Sequence, residues 1–201
     1  DTSEGCDGRA TQSRLRRKAE TKSMTVECTV APGGGAKDVI LHIIGVIGVN
    51  GGTGHVLEYR GSTIRAMDME QRMTLCNMSI EAGARAGMVA PDEVTYAWMA
   101  NTPRAPQGAA FEEAKARWSQ FSSDEGARFD QDVLIDARDI RPTLTWGTHP
   151  GTAIAVDRPI PAAHDAAAQK SLDYMHFDAG HSLQGTPVDV VFVGSCTNGR
   201  L

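Results

Sequence analysis

Apolar residues recur along the chain at spacings that alternate between those of helices and those of strands. From residue 37 to residue 49 they return every three or four positions, as in a helix with one buried face, at Val39, Ile40, Ile43, Ile44 and Ile47. The same spacing between residues 67 and 86 predicts a second helix, marked by Met69, Met73, Cys76, Ile80 and Ala84. Both segments therefore read as helices that cover a core.

Shorter runs of β-branched and other apolar residues lie between helical segments and predict strands, at 24–30, 56–59, 133–135, 144–146 and 188–193. The remaining predicted helices lie at 93–99, 111–121 and 166–175. Asp92 follows a proline and is expected to cap the first of these three. An alternation of helices and strands is typical of an α/β fold with a parallel sheet.

Charge and composition exclude several classes of function. The chain has 201 residues with 20 basic and 25 acidic side chains, a formal net charge of -5 without long single-sign blocks, so neither nucleic acid nor a membrane surface is an expected partner. The longest apolar run, 39–49, is far shorter than the ~20 residues of a membrane span. No segment resembles a signal peptide, and four scattered cysteines indicate a reducing compartment, so we expect a cytoplasmic protein.

Cys196 is the first candidate for chemistry, because it follows the apolar run 188–193 in the segment Gly-Ser-Cys-Thr-Asn. Ligands of open α/β sheets bind beyond the carboxyl ends of the strands, where this cysteine is predicted to lie. Three interpretations are open on the residues alone: a nucleophile, an iron-sulfur ligand, or a small side chain packed in a turn. A nucleophile requires a nearby base, and the sequence alone places none of the six histidines beside it.

Asn77 and Glu81 are four residues apart, so a helix would place both on one face together with Met73 and Ala84. A carboxylate among such small and apolar neighbours is expected to be partly desolvated, which raises its pKa toward the range useful for proton transfer. The alternative is an exposed Glu81 that pairs with Arg85. Position alone leaves both interpretations open.

Two histidines lie in glycine-containing loops of the kind that approach ligands closely. His55 follows the Gly-Gly-Thr-Gly segment 51–54, and His149 lies in the segment 146–151, Trp-Gly-Thr-His-Pro-Gly. The Gly-Gly-Thr-Gly segment lacks the spacing of a dinucleotide or phosphate-binding loop, so helix termination is its expected role. His42, within the first predicted helix, is expected to be a core or edge residue.

Four ordered segments resemble the aconitase superfamily, namely 37–41, 51–59, 76–84 and 194–198. Within that superfamily, the segments 89–93 and 146–151 are most similar to the 3-isopropylmalate dehydratase large-subunit family. The resemblance covers residues 22–201 strongly and residues 1–21 loosely, because Gly-Cys-Asp-Gly-Arg at 5–9 departs from the family pattern. It implies aconitase-like three-layer α/β/α domains, incomplete at both ends: 1–30 as the tail of the first domain, 31–155 as the second and 156–201 as the start of the third.

The resemblance also implies a function and a set of site residues. The implied activity is a hydro-lyase that interconverts 2-isopropylmalate and 3-isopropylmalate in leucine biosynthesis by dehydration and rehydration, together with a separate small subunit. Cys196 matches the first of three cysteines that hold a 4Fe-4S cluster, and Thr197 and Asn198 would shape its surroundings. Asn77 matches an asparagine beside the cluster, and Glu81 matches a glutamate that handles a proton at the substrate hydroxyl or at iron-bound water.

The family's other two cluster cysteines form a CxxC pair downstream of the first, and this chain does not contain it. We therefore expect an internal fragment that holds no stable cluster alone and is inactive alone, with an exposed apolar strand at 188–193 that lowers its solubility. Two alternatives are a sister dehydratase that acts on homocitrate, citramalate or another branched malate, and a non-catalytic remnant or subunit-docking module.

Overall fold

The computed structural model describes residues 18–194 of the chain, so Cys196, Thr197 and Asn198 lie outside the described residues. The strands are β1 Glu20–Glu27, β2 His55–Arg60, β3 Ala86–Val89, β4 Gln131–Asp136, β5 Thr143–Thr145 and β6 Ala153–Ala155. The α-helices are α1 Ala36–Ile47, α2 Ser62–Ala66, α3 Met69–Met78, α4 Glu93–Ala100, α5 Ala109–Trp118 and α6 Ala166–Met175. Short 3-10 turns lie at Ser79–Ala82, Ser119–Phe121, Ala137–Asp139 and Pro150–Thr152.

A parallel sheet with strand order β3-β2-β1-β4 organises the described residues, and β5 and β6 form a small antiparallel pair. In the parallel sheet Met24 lies opposite Tyr59 on one side and Val133 on the other. Because side chains alternate along a strand, Met24 and Tyr59 share one face, and both are fully buried beneath α1 and α3. The predicted α/β class is confirmed.

Helix α1 forms where the apolar spacing predicts it. Val39, Ile40, Ile43 and Ile44 are fully buried against the sheet, which is the face that the pattern indicates. Asp38 fixes the start of the helix, because its carboxylate accepts hydrogen bonds from the backbone N–H of Gly35 at 2.7 Å and of Thr143 at 2.6 Å. The same side chain thus joins α1 to β5.

The predicted cap of α4 is also confirmed. The Asp92 carboxylate accepts hydrogen bonds from the backbone N–H groups of Val94 and Thr95, and two more, at 2.6 and 2.8 Å, from the buried Arg72 guanidinium. Burial alone would raise the pKa of Asp92, but these hydrogen bonds outweigh it and hold that pKa below its ordinary value. The ion pair fastens α4 to α3.

The prediction of one helix from 67 to 86 is wrong beyond Met78. The chain tightens into the 3-10 turn Ser79–Ala82, Gly83 takes a left-handed conformation with φ 77°, and β3 begins at Ala86. A left-handed glycine ends a helix because its carbonyl and N–H groups no longer follow the helical path. Asn77 and Glu81 therefore do not share an α-helical face, and both are exposed rather than desolvated.

The predicted strand at 188–193 is also wrong within the described residues. These residues have no regular secondary structure, and Val188, Val190, Val191, Phe192 and Val193 are all at least 70% exposed. A strand requires a neighbour whose backbone accepts and donates its hydrogen bonds, and no described strand lies beside this run. Because these apolar side chains are exposed, the low solubility expected from the sequence remains a prediction.

The opposite face of the parallel sheet is contacted by an irregular segment that follows α5. In that segment Ser123 donates a hydrogen bond to Glu58 at 2.6 Å, and the Arg60 guanidinium lies 5.3 Å from the centre of the Phe129 ring.

A second apolar cluster forms around the buried Trp146, with Ile160, Ala168 and Leu172. The division of the chain into three domains stays a prediction.

None of the helices in residues 18–194 is long and apolar enough to cross a membrane.

A buried hydroxyl pair fixes the junction between α3 and the turn Ser79–Ala82. The Tyr59 hydroxyl lies 2.7 Å from the Ser79 hydroxyl, which also bonds to the backbone carbonyl of Leu75. Burial raises the pKa of Tyr59 well above its ordinary value, so the phenol stays neutral.

Replacing Tyr59 by phenylalanine is expected to cost about 1 kcal/mol of unfolding free energy, because one buried hydrogen bond is lost while Ser79 keeps its second partner. Urea unfolding of the two proteins measures the difference. Tyr174→Phe is the matched control, since Tyr174 is 72% exposed, and it should leave the midpoint unchanged. Equal losses in both variants would contradict a specific role for the buried pair.

Candidate active-site groove

A groove of about 790 Å³ opens between the start of α1, the end of α3 and the loop around β5. Its lining consists of Lys37, Asp38, Leu41, Met78, Glu81, Thr143, Leu144, Thr145, Gly147, Thr148, His149 and Pro150. Three of the segments that carry the family resemblance, 37–41, 76–84 and 146–151, thus line one concave surface. A cavity of this size accommodates a small organic ligand.

Glu81 reaches the groove from the 3-10 turn Ser79–Ala82, and its side chain is exposed. The turn is short and closely held: Gly83 N–H bonds to the carbonyl of Ile80 at 2.8 Å, and Ala84 N–H bonds to the carbonyl of Ser79 at 3.2 Å. An exposed carboxylate on a backbone fixed in this way can meet a ligand without first leaving a buried partner. Glu81 is therefore well placed to exchange a proton with a bound molecule.

The glycine-containing loop 51–54 packs against this turn and supports it. Gly52 N–H donates to the carbonyl of Ala82 at 2.8 Å. A Cβ atom on Gly52 would lie only 2.9 Å from the Cβ of Ala84, and one on Gly83 would lie 2.8 Å from the Thr53 hydroxyl. The two backbones approach this closely because neither position carries a side chain. Sequence reasoning assigned the loop to helix termination and missed its role as the support of the Glu81 turn.

Lys22 and His55 hold the loop 51–54 through hydrogen bonds to its backbone carbonyl groups. The buried Lys22 ammonium donates a hydrogen bond to the carbonyl of Gly51, and burial lowers the pKa of Lys22. His55 is also buried, and its Nδ1 donates to the carbonyl of Thr53 at 2.9 Å. Its Nε2 lies 3.2 Å from the Glu20 carboxylate and makes no hydrogen bond within the described residues. His55 therefore holds the loop rather than lining the groove.

His149 lines the groove opposite the helical elements, and its side chain is exposed. Its Nδ1 accepts the backbone N–H of Gly151 at 3.1 Å, which caps the 3-10 turn Pro150–Thr152. Because Nδ1 is the acceptor, the proton of the neutral ring lies on Nε2. The imidazole is thus held by its own turn with an N–H donor available.

Of the other predicted site residues, only Asn77 belongs to the described part of the chain, and it does not line the groove. Asn77 is exposed on the last turn of α3 and is absent from the lining, while Cys196, Thr197 and Asn198 lie outside the described residues. Lys37, strand β5 and the loop residues Gly147 and Thr148 line the groove, although no local pattern marks them as functional. For Lys37 and the two loop residues, the signal in the sequence is membership of the segments 37–41 and 146–151.

The described residues do not by themselves fit an iron-sulfur cluster. Residues 18–194 contain no group of three or more His, Cys, Asp or Glu side chains that could hold a metal ion. Burial raises the pKa of the Cys76 thiol, which disfavours the thiolate that a cluster ligand needs, and Cys28 is exposed outside the groove lining.

Comparison with known proteins gives two findings. The model of the aconitase family (aconitate hydratase) matches residues 1–201. The 3-isopropylmalate dehydratase large subunit of Anaeromyxobacter dehalogenans is 52% identical over 199 residues, which cover 96% of this chain and 42% of that protein. The chain thus spans less than half the length of this relative.

Proposed function

Since this chain belongs to the aconitase family, we propose that it is part of the large subunit of a hydro-lyase that interconverts 2-isopropylmalate and 3-isopropylmalate. The reaction removes water from one hydroxy acid and adds it back in the other orientation, as a step of leucine biosynthesis. The observation that carries this proposal is the 52% identity over 96% of the chain to a protein named as such a large subunit.

Glu81 is the proton-handling residue of the proposed reaction. In the dehydration direction its carboxyl group gives a proton to the departing hydroxyl, which leaves as water, and in the rehydration direction its carboxylate takes a proton from the attacking water. The groove supports this role because Glu81 lines it from a turn fixed by backbone hydrogen bonds. The dehydration also releases a proton from the neighbouring carbon, and the base that takes this proton is proposed to lie outside residues 18–194.

A 4Fe-4S cluster belongs to the proposal on the strength of the family resemblance. Cys196 is the proposed ligand from this chain, with Thr197 and Asn198 beside it, and Asn77 is proposed to lie near the cluster. When bound, such a cluster supplies a Lewis acid for the hydroxyl and carboxylate of the substrate. The other cluster ligands are proposed to come from parts of the large subunit outside this chain, because the chain spans 42% of the length of its relative.

The proposed partner is a small subunit, because the relative is named as a large one. Its role would be to complete the pocket on the open side of the groove. We place the complex in the cytoplasm, where a reducing environment protects thiolates and clusters.

An assay with the complete protein tests the proposal. The large subunit that carries this chain is purified anaerobically with its small subunit and supplied with 2-isopropylmalate, citramalate, homocitrate and citrate. We expect kcat/KM for 2-isopropylmalate to exceed each of the others at least tenfold. Preferential turnover of citramalate or homocitrate would reassign the substrate within the family, and no turnover of any hydroxy acid would overturn the proposal.

A further inference from the structure

Two nitrogen-bearing side chains line the groove together with Glu81, and neither is among the residues that the aconitase resemblance assigned to the reaction. We propose that Lys37 and His149 form the carboxylate-binding edge of the groove and orient the hydroxy acid so that its hydroxyl meets Glu81. This inference rests on the proposed function and adds two positioning residues to it.

The Lys37 ammonium is exposed in the groove and has no acidic partner among residues 18–194. Its neighbour Asp38 is committed elsewhere, because its carboxylate oxygens accept the N–H groups of Gly35 and Thr143. A lysine in the first turn of a helix is electrostatically unfavourable, since that end of the helix carries partial positive charge. An anionic ligand in the groove would compensate for this placement.

His149 offers the second donor. Its Nδ1 accepts the N–H of Gly151, and its Nε2 makes no hydrogen bond within residues 18–194, although the Asp165 carboxylate is close enough to interact with the ring electrostatically. The ring cannot turn Nδ1 toward a ligand without giving up the cap of the turn Pro150–Thr152. The Nε2–H group is therefore the hydrogen-bond donor of this ring that remains available to an anion.

The hydrogen-bond donors of the groove suit a hydroxy dicarboxylate, because the Asp38 carboxylate is already occupied by the N–H groups of Gly35 and Thr143. Lys37 and His149 supply donors for carboxylate oxygens, which form stronger hydrogen bonds than neutral acceptors do. Glu81 repels carboxylates but accepts a hydroxyl hydrogen or donates to a hydroxyl oxygen, depending on its protonation. A ligand with both groups has one favoured orientation, with its hydroxyl toward Glu81.

The test uses variants that separate ligand binding from folding. In His149→Asn the amide oxygen takes the place of Nδ1 and keeps the cap of Gly151, while the Nε2–H donor is lost. Lys37→Met removes the ammonium and keeps most of the side chain. In the complete protein with its small subunit we expect each to raise KM for 2-isopropylmalate about tenfold, with kcat within threefold and the melting temperature unchanged.

Two further variants complete the design. His149→Gln places an N–H donor near the position of Nε2 and should restore KM to within about threefold of the wild type. Lys170→Met alters an exposed lysine on α6 that does not line the groove, and its KM should not change. If His149→Asn and Lys37→Met match Lys170→Met while the wild type turns over 2-isopropylmalate, the carboxylate edge is wrong and the proposed function stands. A wild type without turnover overturns both.

Discussion

Replacing Glu81 by glutamine is expected to lower kcat for 2-isopropylmalate by about 10²- to 10⁴-fold in the complete protein, the range typical of lost general acid–base catalysis. The amide has nearly the same shape as the carboxyl group but cannot exchange a proton with the substrate hydroxyl. Glu81 is exposed on its turn, so the melting temperature should remain that of the wild type. Steady-state turnover together with a thermal melt measures both quantities.

Glu125→Gln provides the control for this experiment, because Glu125 is an exposed glutamate that does not line the groove. It makes the same change of charge and should leave kcat unaltered. A Glu81→Gln protein that keeps more than a tenth of the wild-type kcat would remove Glu81 from the proton-handling role and return it to the alternative of a solvated surface residue.

Replacing Gly52 by alanine is expected to destabilise the protein by about 1–3 kcal/mol, the usual cost of inserting a methyl group into a filled space. The new Cβ would lie 2.9 Å from the Cβ of Ala84 and 3.0 Å from the carbonyl oxygen of Ala82. Because one of these atoms is backbone, relief requires movement of the turn that carries Glu81. A displacement of about 1 Å at a reacting group costs about 10²-fold in rate, so kcat should fall as well.

Gly45→Ala is the matched control for the Gly52 variant. Gly45 lies inside α1, and a Cβ there would have no atom within 4 Å. Alanine should therefore stabilise the helix by about 0.5–1 kcal/mol and leave kcat unchanged. Chemical denaturation and turnover of both variants check the pair. Loss of stability in Gly52→Ala without loss of kcat would show that the glycine loop supports the fold but not the position of Glu81.

The parts of the fold that the sequence predicts are those in which one local pattern decides the structure. Helix α1 is an example, since Val39, Ile40, Ile43 and Ile44 have helical spacing and all are fully buried. Asp92 is another, because a carboxylate immediately before a helix satisfies backbone N–H groups that have no other partner. In both cases no distant residue is needed for the prediction.

Predictions failed where the local pattern was compatible with more than one structure. The spacing of Cys76, Ile80 and Ala84 continues through the 3-10 turn and up to the residues before β3, so periodicity alone extended the predicted helix too far. Gly83 was the available signal for the end of the helix. The apolar run 188–193 has the composition of a strand, but a strand forms only beside a partner, and residues 18–194 provide none.

The groove depends on contacts between residues far apart in sequence. Asp38 and Thr143, which join α1 to β5 at its border, are separated by 105 positions. No spacing rule connects them, and Lys37 and His149 could not be placed on one surface from the sequence. The family resemblance identified Glu81 as a site residue. The helical spacing predicted instead that Glu81 lies on a desolvated helix face, which is wrong because the residue is exposed. The tertiary fold places Glu81 at the groove, and burial of its side chain plays no part in this placement.

A crystal structure of the complete protein with bound 3-isopropylmalate tests the central claim most directly. The groove at the start of α1 should hold the substrate, with the substrate hydroxyl about 3 Å from a carboxyl oxygen of Glu81 and a carboxylate facing Lys37 and His149. Substrate bound at another surface, with Glu81 in contact with solvent alone, would contradict the assignment of the groove as the active site.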